Sequence, residues 1–187
     1  MQRMPRGSRT QPVGSQPSPR TTWTPGILVL TYSARSGRTS TIVTEWLAKL
    51  PATGDTQRGR EMFEKTCAPC HQLEGLGHAV GPDLSDAGHR SVEDLLSNIL
   101  DPNMAINPNY ASYTVDWTPD ESATGILQSE TPEAINLLQA QGIKAVIPRA
   151  KLTRMASTGL SLMPEGLEAG MTPQQMRDLL AFLQKRR

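Results

Sequence analysis

The chain has 187 residues, 37% of them hydrophobic and only 4% aromatic, with a formal charge of +1; that is long enough for one domain with a core and additional material. The charge is uneven: residues 1–54 hold seven Lys/Arg against one acid, Glu45, whereas residues 55–187 hold twelve against seventeen Asp/Glu, a net of −5. Basic and aromatic residues do not interleave in the acidic part, which argues against nucleic acid as a partner, and no apolar run approaches the ~20 residues of an integral membrane segment.

Residues 1–25, rich in Arg, Ser, Thr, Pro and Gly without periodicity, read as disordered. Residues 26–35 read as a short strand. Thr44–Leu50 reads as a helical turn ended by Pro51. The boundary falls at Thr53-Gly54-Asp55, separating a basic segment 1–54, disordered or the tail of a preceding domain, from a folded unit 55–187. The apolar run Ile27–Leu30 is shorter than a signal peptide's core of about 7–15 residues.

A first helix is expected over about residues 56–66, with Asp55 as N-cap and Gly59, Met62 and Phe63 on one face. At its end stands Cys67-Ala68-Pro69-Cys70-His71, in a chain with no other cysteine. The spacing suits covalent haem attachment: two thiols add across two vinyl groups, and the next residue offers an imidazole to the iron. A structural zinc site would want a second pair of ligands. A redox disulfide of the thioredoxin kind would sit in a βαβ pattern, and neither feature surrounds the motif.

A glycine-rich loop, Gly75 to Gly88, contains Gly81-Pro82-Asp83-Leu84. An axial histidine needs an acceptor for its second ring nitrogen, and the carbonyl of Pro82 is the natural one. Ser91–Asp94 resembles a capping box and opens a helix with Leu95, Leu96, Ile99 and Leu100 on one face, stopped by Asp101-Pro102. Between Tyr110 and Ile147 the period changes: Tyr113, Val115 and Trp117 alternate, and Thr124–Leu127, Ala134–Leu138 and Lys144–Ile147 read as further short strands. The expectation is a small antiparallel meander (110–147) inserted into a helical domain. The last helix begins at Thr172 as N-cap, with Pro173 at N1 and Gln175 at N3, and carries an apolar stripe of Met176, Leu179, Leu180 and Leu183.

For the second axial ligand the candidates are Met104, Met155, Met163, Met171, Met176, His78 and His89. Met176 belongs to a helical stripe and reads as core, and Met104 reads as packing under the haem edge. His78 is too near His71 in sequence to reach the opposite face, and His89 is the bis-histidine alternative. Met163 precedes Pro164, which holds it in an extended backbone within a loop before the last helix, a rigid way to aim a thioether at iron.

Cys67–His71, Gly81–Leu84 and Met163-Pro164 before a terminal helix resemble a class I c-type cytochrome domain. Together with Gly59, Phe63, Ile99–Pro102, Tyr110, Tyr113, Thr124–Leu127 and Ser161–Leu167, the set is similar to the haem-binding domain of the Planctomycete/Verrucomicrobium type. That resemblance implies a mainly α, cytochrome c-like helical fold around one haem, with Gly59 and Phe63 crossing the terminal helix near Leu179, Phe182 and Leu183. It implies one covalent haem c bound through Cys67 and Cys70, iron ligated by His71 and Met163, and Pro82 supporting the histidine. Such domains commonly end larger exported proteins with dehydrogenase-like or helical-repeat regions, so a periplasmic or otherwise exported location is expected.

The function read from this is one-electron transfer to a redox partner protein, one with a basic docking surface, without catalysis by the domain itself. The alternatives are a five-coordinate haem module that binds ligands or is an enzyme, the haem domain of a larger oxidoreductase, and a haem-free module with a disulfide.

Overall fold

A computed structural model of the chain describes residues 39–118 and 120–185. The expectations for residues 1–25 and 26–35 lie outside the described residues. Four helices and one sheet form two adjoining cores.

Residues 39–49 form helix α1, which lays Val43 into the helical core, with Ile42, Trp46 and Leu47 packed against it. Helix α2, Thr56–Thr66, starts where a carboxylate can satisfy orphan amides: Asp55 Oδ1 accepts from the N–H groups of Gln57 (2.8 Å) and Arg58 (3.0 Å). Helix α3, Val92–Leu100, is capped by Ser91 Oγ, which accepts from Asp94 N at 3.0 Å, and buries Leu95, Leu96, Ile99 and Leu100. Helix α4, Pro173–Leu183, has the complete reciprocal capping box of Thr172 and Gln175. Its buried face includes Met176, Leu179, Leu180 and Phe182, so Met176 is a core residue.

The crossing of α2 and α4 depends on Gly59. A Cβ there would overlap the backbone oxygen of Asp178 and come within 2.8 Å of Phe182 Cβ. One turn on, the rings of Phe63 and Phe182 meet with centroids 5.5 Å apart and planes tilted by 53°, a favourable aromatic geometry. Asp178, buried at 2% exposure, closes the junction by accepting from Asp55 N (2.7 Å), Arg58 Nε (2.8 Å) and Gln174 Nε2 (2.7 Å).

The β region overturns the expectation of a mainly α fold with a small meander. Strands β1 (Ala111–Trp117), β2 (Glu121–Glu130), β3 (Ala134–Leu138), β4 (Lys144–Pro148) and β5 (Leu152–Ser161) build a five-stranded antiparallel sheet in the order β4-β3-β2-β1-β5. Val115, Ile135, Leu137 and Ile147 are its fully buried centre, a core separate from that of the helices. The molecule is therefore an α+β structure. The strand missing from the sequence reading is β5. It is an edge strand with no fully buried residue; it is held by backbone pairing to β1, with only Leu152 and Met155 packed against the sheet core, so its Thr, Arg, Ser and Gly residues show no alternation to detect.

Among the described residues no helix is long and apolar enough to cross a membrane.

Candidate functional site

The end of α2 turns directly into the Cys67–His71 motif. Cys67 caps the helix through its N–H to Phe63 O (2.8 Å), and the N–H groups of Cys70 and His71 return to Cys67 O at 3.0 and 2.8 Å. The chain then doubles back on the motif. His78 N donates to Ala68 O, and Val80 N and Gly81 N both donate to Cys70 O. This return needs Gly77, whose φ of +80° is in the left-handed region and whose missing Cβ leaves room for the backbone of His71 and Ala68.

The doubled-back segment brings Pro82 to His71. His71 Nδ1 and Pro82 O are 2.7 Å apart. A carbonyl can only accept, so Nδ1 donates, and in the neutral ring this tautomer leaves the lone pair on Nε2. Gly81 lies flat under the same ring: a Cβ there would stand 2.7 Å from His71 Cε1.

Cys67, Cys70, His71, Pro82 and Met163 all line one cavity of about 220 Å³, whose apolar walls include Leu95 and Ile99 of α3, Leu183 of α4 and Ile126 of β2. Among the lining residues described, His71 is the one histidine and Met163 the one methionine. His78 and His89 are not on its wall; the His78 ring packs against Gly142 instead. Met155 packs with the sheet core and Met171 against the helical core. Met104 is exposed at 38% and does not line the cavity; the wall is made by its neighbours Pro102, Ala105 and Ile106. Met104 stands in the turn after α3, its N–H donating to Asp101 O at 3.1 Å.

The Met163 loop issues from β5. Ser161, the last residue of that strand, accepts from Met163 N through Oγ at 3.1 Å, and its own N–H donates to Asn103 Oδ1 at 2.7 Å. Asn103 is absent from any reading by motif. Its only signal in the sequence is an amide directly after the Asp101-Pro102 helix stop.

Burial pushes the Cys67 thiol up to about 12, with a further contribution from neighbouring Cys70, and burial raises Cys70 as well. In the unattached chain both are neutral thiols at neutral pH, the reverse of the lowered thiol pKa on which dithiol exchange depends. The donor set, two thiols next to an imidazole with a free Nε2, a thioether on the same cavity, and a glycine floor under the imidazole, fits a covalently held haem. Among the described residues no group of three or more His, Cys, Asp or Glu converges as a metal site of another kind.

The family model described as Cytochrome c matches residues 56–187. Comparison with curated proteins gave no match.

Proposed function

Since the chain belongs to the cytochrome c family, and so carries covalently bound haem c and transfers electrons, we propose that it is a single-haem, one-electron carrier with His71 and Met163 as axial ligands. The observation that carries this reading is the shared cavity, with His71 and Met163 the one imidazole and the one thioether on its described wall.

Haem c supplies a ferrous/ferric couple that takes up and releases one electron. The chain's own residues set the conditions. Cys67 and Cys70 supply the thiols for the two thioether bonds. The Pro82 carbonyl fixes the His71 tautomer and the orientation of its ring. Met163 contributes a soft sulfur, which favours the reduced iron and raises the potential. Leu95, Ile99 and Leu183 give the cavity apolar walls, and burial of a haem against them would act in the same direction. The acidity of residues 55–187 favours a redox partner with a basic surface and an encounter rate that falls with salt. The motif run from Gly59 to Leu167 supports assignment to the Planctomycete/Verrucomicrobium type, and the thioether linkage supports an exported, periplasmic setting.

The test is the oxidised and reduced absorption spectrum of the full chain, produced in a host that matures exported c-type cytochromes. A low-spin spectrum with the weak far-red sulfur-to-iron band, lost in Met163→Ala, supports His/Met ligation. A high-spin spectrum that responds to carbon monoxide overturns it, and haem that acid-acetone extracts from the polypeptide overturns the attachment to Cys67 and Cys70.

A further inference from the structure

Met163 has no hydrogen-bonded secondary structure of its own. It lies two residues beyond the end of β5, in a loop that must hold a thioether still. The fixed point nearest to it is Asn103. The side-chain oxygen of Asn103 accepts from Ser161 N at 2.7 Å, and its amide nitrogen donates to Glu165 Oε1. These two bonds bracket Met163 from both sides in sequence, while Ser161 Oγ holds Met163 N between them.

Asn103 is itself anchored. It follows Asp101, the C-cap of α3, and Pro102, which lines the cavity. Asp101 Oδ2 accepts from Thr39 Oγ1 of α1, and Met104 N returns to Asp101 O. The amide of Asn103 is therefore tied to the end of α3, while the loop it holds belongs to the end of the sheet. Asn103 is not on the cavity wall, so it can act on the iron site only through the loop.

We infer that Asn103 is a positioning residue for the sixth ligand, a two-point clamp that holds the Ser161–Glu165 loop closed. The inference rests on the reading of Met163 as that ligand. The loop has a closed state with sulfur on iron and an open state without it, and an external ligand that needs the open state binds with an apparent affinity scaled by the open fraction. Removing a hydrogen bond of this kind raises that fraction by about tenfold. A side chain that merely packed would not act through the identity of its donor and acceptor.

The experiment titrates imidazole into the oxidised, haem-loaded full chain and follows loss of the far-red sulfur-to-iron band. Asn103→Ala is expected to lower the displacing concentration about tenfold. The paired substitution Asn103→Asp with Glu165→Gln exchanges carboxylate and amide between the two positions, so that the carboxylate accepts both from Ser161 N and from the side-chain amide at 165, and it is expected to return the titration toward wild type. An unchanged titration in Asn103→Ala overturns the clamp, and so does a shift that the paired substitution fails to reverse. If Asn103→Ala yields no haem-loaded protein, the exposed Glu165 provides the second variant: Glu165→Ala must shift the titration in the same direction, and no shift overturns the clamp. A wild-type protein without the band removes the Met163 reading itself, and the clamp with it.

Discussion

His71 and Pro82 share a 2.7 Å hydrogen bond in which the imidazole Nδ1 donates to a backbone carbonyl. Because the acceptor belongs to the main chain, the identity of residue 82 matters less than the course of the backbone. Pro82→Ala keeps the carbonyl, and only the rigidity of the turn is lost, within about 1 kcal/mol. Gly81→Ala is different, because a Cβ would press on His71 Cε1 from 2.7 Å. The ring or the backbone must move, at a cost of about 1–3 kcal/mol. Urea unfolding of the haem-loaded protein should show a clear loss for Gly81→Ala and a small one for Pro82→Ala. Equal losses would mean that the proline ring, not the carbonyl, supports the histidine.

The α2/α4 junction gives a sharper steric prediction. At Gly59 the obstacle is the backbone of Asp178 together with Phe182 Cβ, and a helix backbone cannot swing aside as a long side chain can. Gly59→Ala should therefore destabilise by about 3 kcal/mol, with the two helices forced apart and the Phe63–Phe182 contact loosened. Denaturant unfolding and the yield of haem-loaded protein both report this. A near-neutral effect would mean that the crossing is looser than its geometry indicates.

These contacts show which parts of the molecule the sequence made legible. Asp55, Ser91 and Thr172 announced their helices because a cap is a local arrangement within three residues. Cys67, Cys70 and His71 stood out because their chemistry depends on adjacency, whereas for Gly59 and Phe63 the residues gave only a shared helical face, and their crossing with the terminal helix was implied by the family resemblance. Strand β5 was illegible for the opposite reason. Its stability comes from pairing with β1 through register pairs such as Val115 with Met155 and Ala111 with Ser161, partners 40 and 50 residues away that leave no period in β5 itself. Helix α1 extends the helical core N-terminal of Asp55 through Val43, and the Thr-Ile-Val-Thr stretch around it looks as much like a strand as a helix. Asn103 was out of reach because one of its partners is a backbone amide, which has no letter, and the other, Glu165, stands 62 residues further along the chain.

Asp178 adds a pH dependence. Burial alone would raise its pKa, but hydrogen bonds from Arg58, the Asp55 backbone and Gln174, together with the charge of Arg58, outweigh it and hold the carboxyl below its ordinary range. A carboxyl with a lowered folded-state pKa stabilises the fold above its unfolded pKa, near ~3.9, and that contribution is lost as pH falls through the lowered value. Asp178→Asn should lower stability at neutral pH by about 1–2 kcal/mol, since part of the hydrogen bonding survives. The gap from wild type should stay constant above about pH 5 and shrink below about pH 4. Urea midpoints of both proteins across that range provide the check, and a gap that widens in acid would reverse the sign of the argument.

The sheet meets the cavity from two directions. On one side β5 runs into the Met163 loop. On the other, the turn between β3 and β4 reaches the Cys67–His71 motif, where Gln141 N donates to Pro69 O at 2.6 Å and Gly142 sits against the His78 ring. Gln141 adopts φ +62° to make this contact, a conformation glycine takes readily and proline cannot, since its ring fixes φ near about −65° and removes the donor. Gln141→Gly should therefore preserve the contact and Gln141→Pro abolish it. A lost bond of about 1 kcal/mol would raise opening of the Cys67–His71 turn severalfold, so hydrogen exchange at the Cys70 and His71 amides should quicken in Gln141→Pro and not in Gln141→Gly. If exchange there is the same in both variants, the sheet is an appendage on this side and acts on the cavity only through β5 and Ile126. If it differs as expected, the sheet is part of what holds the histidine side of the cavity closed, as well as the methionine side.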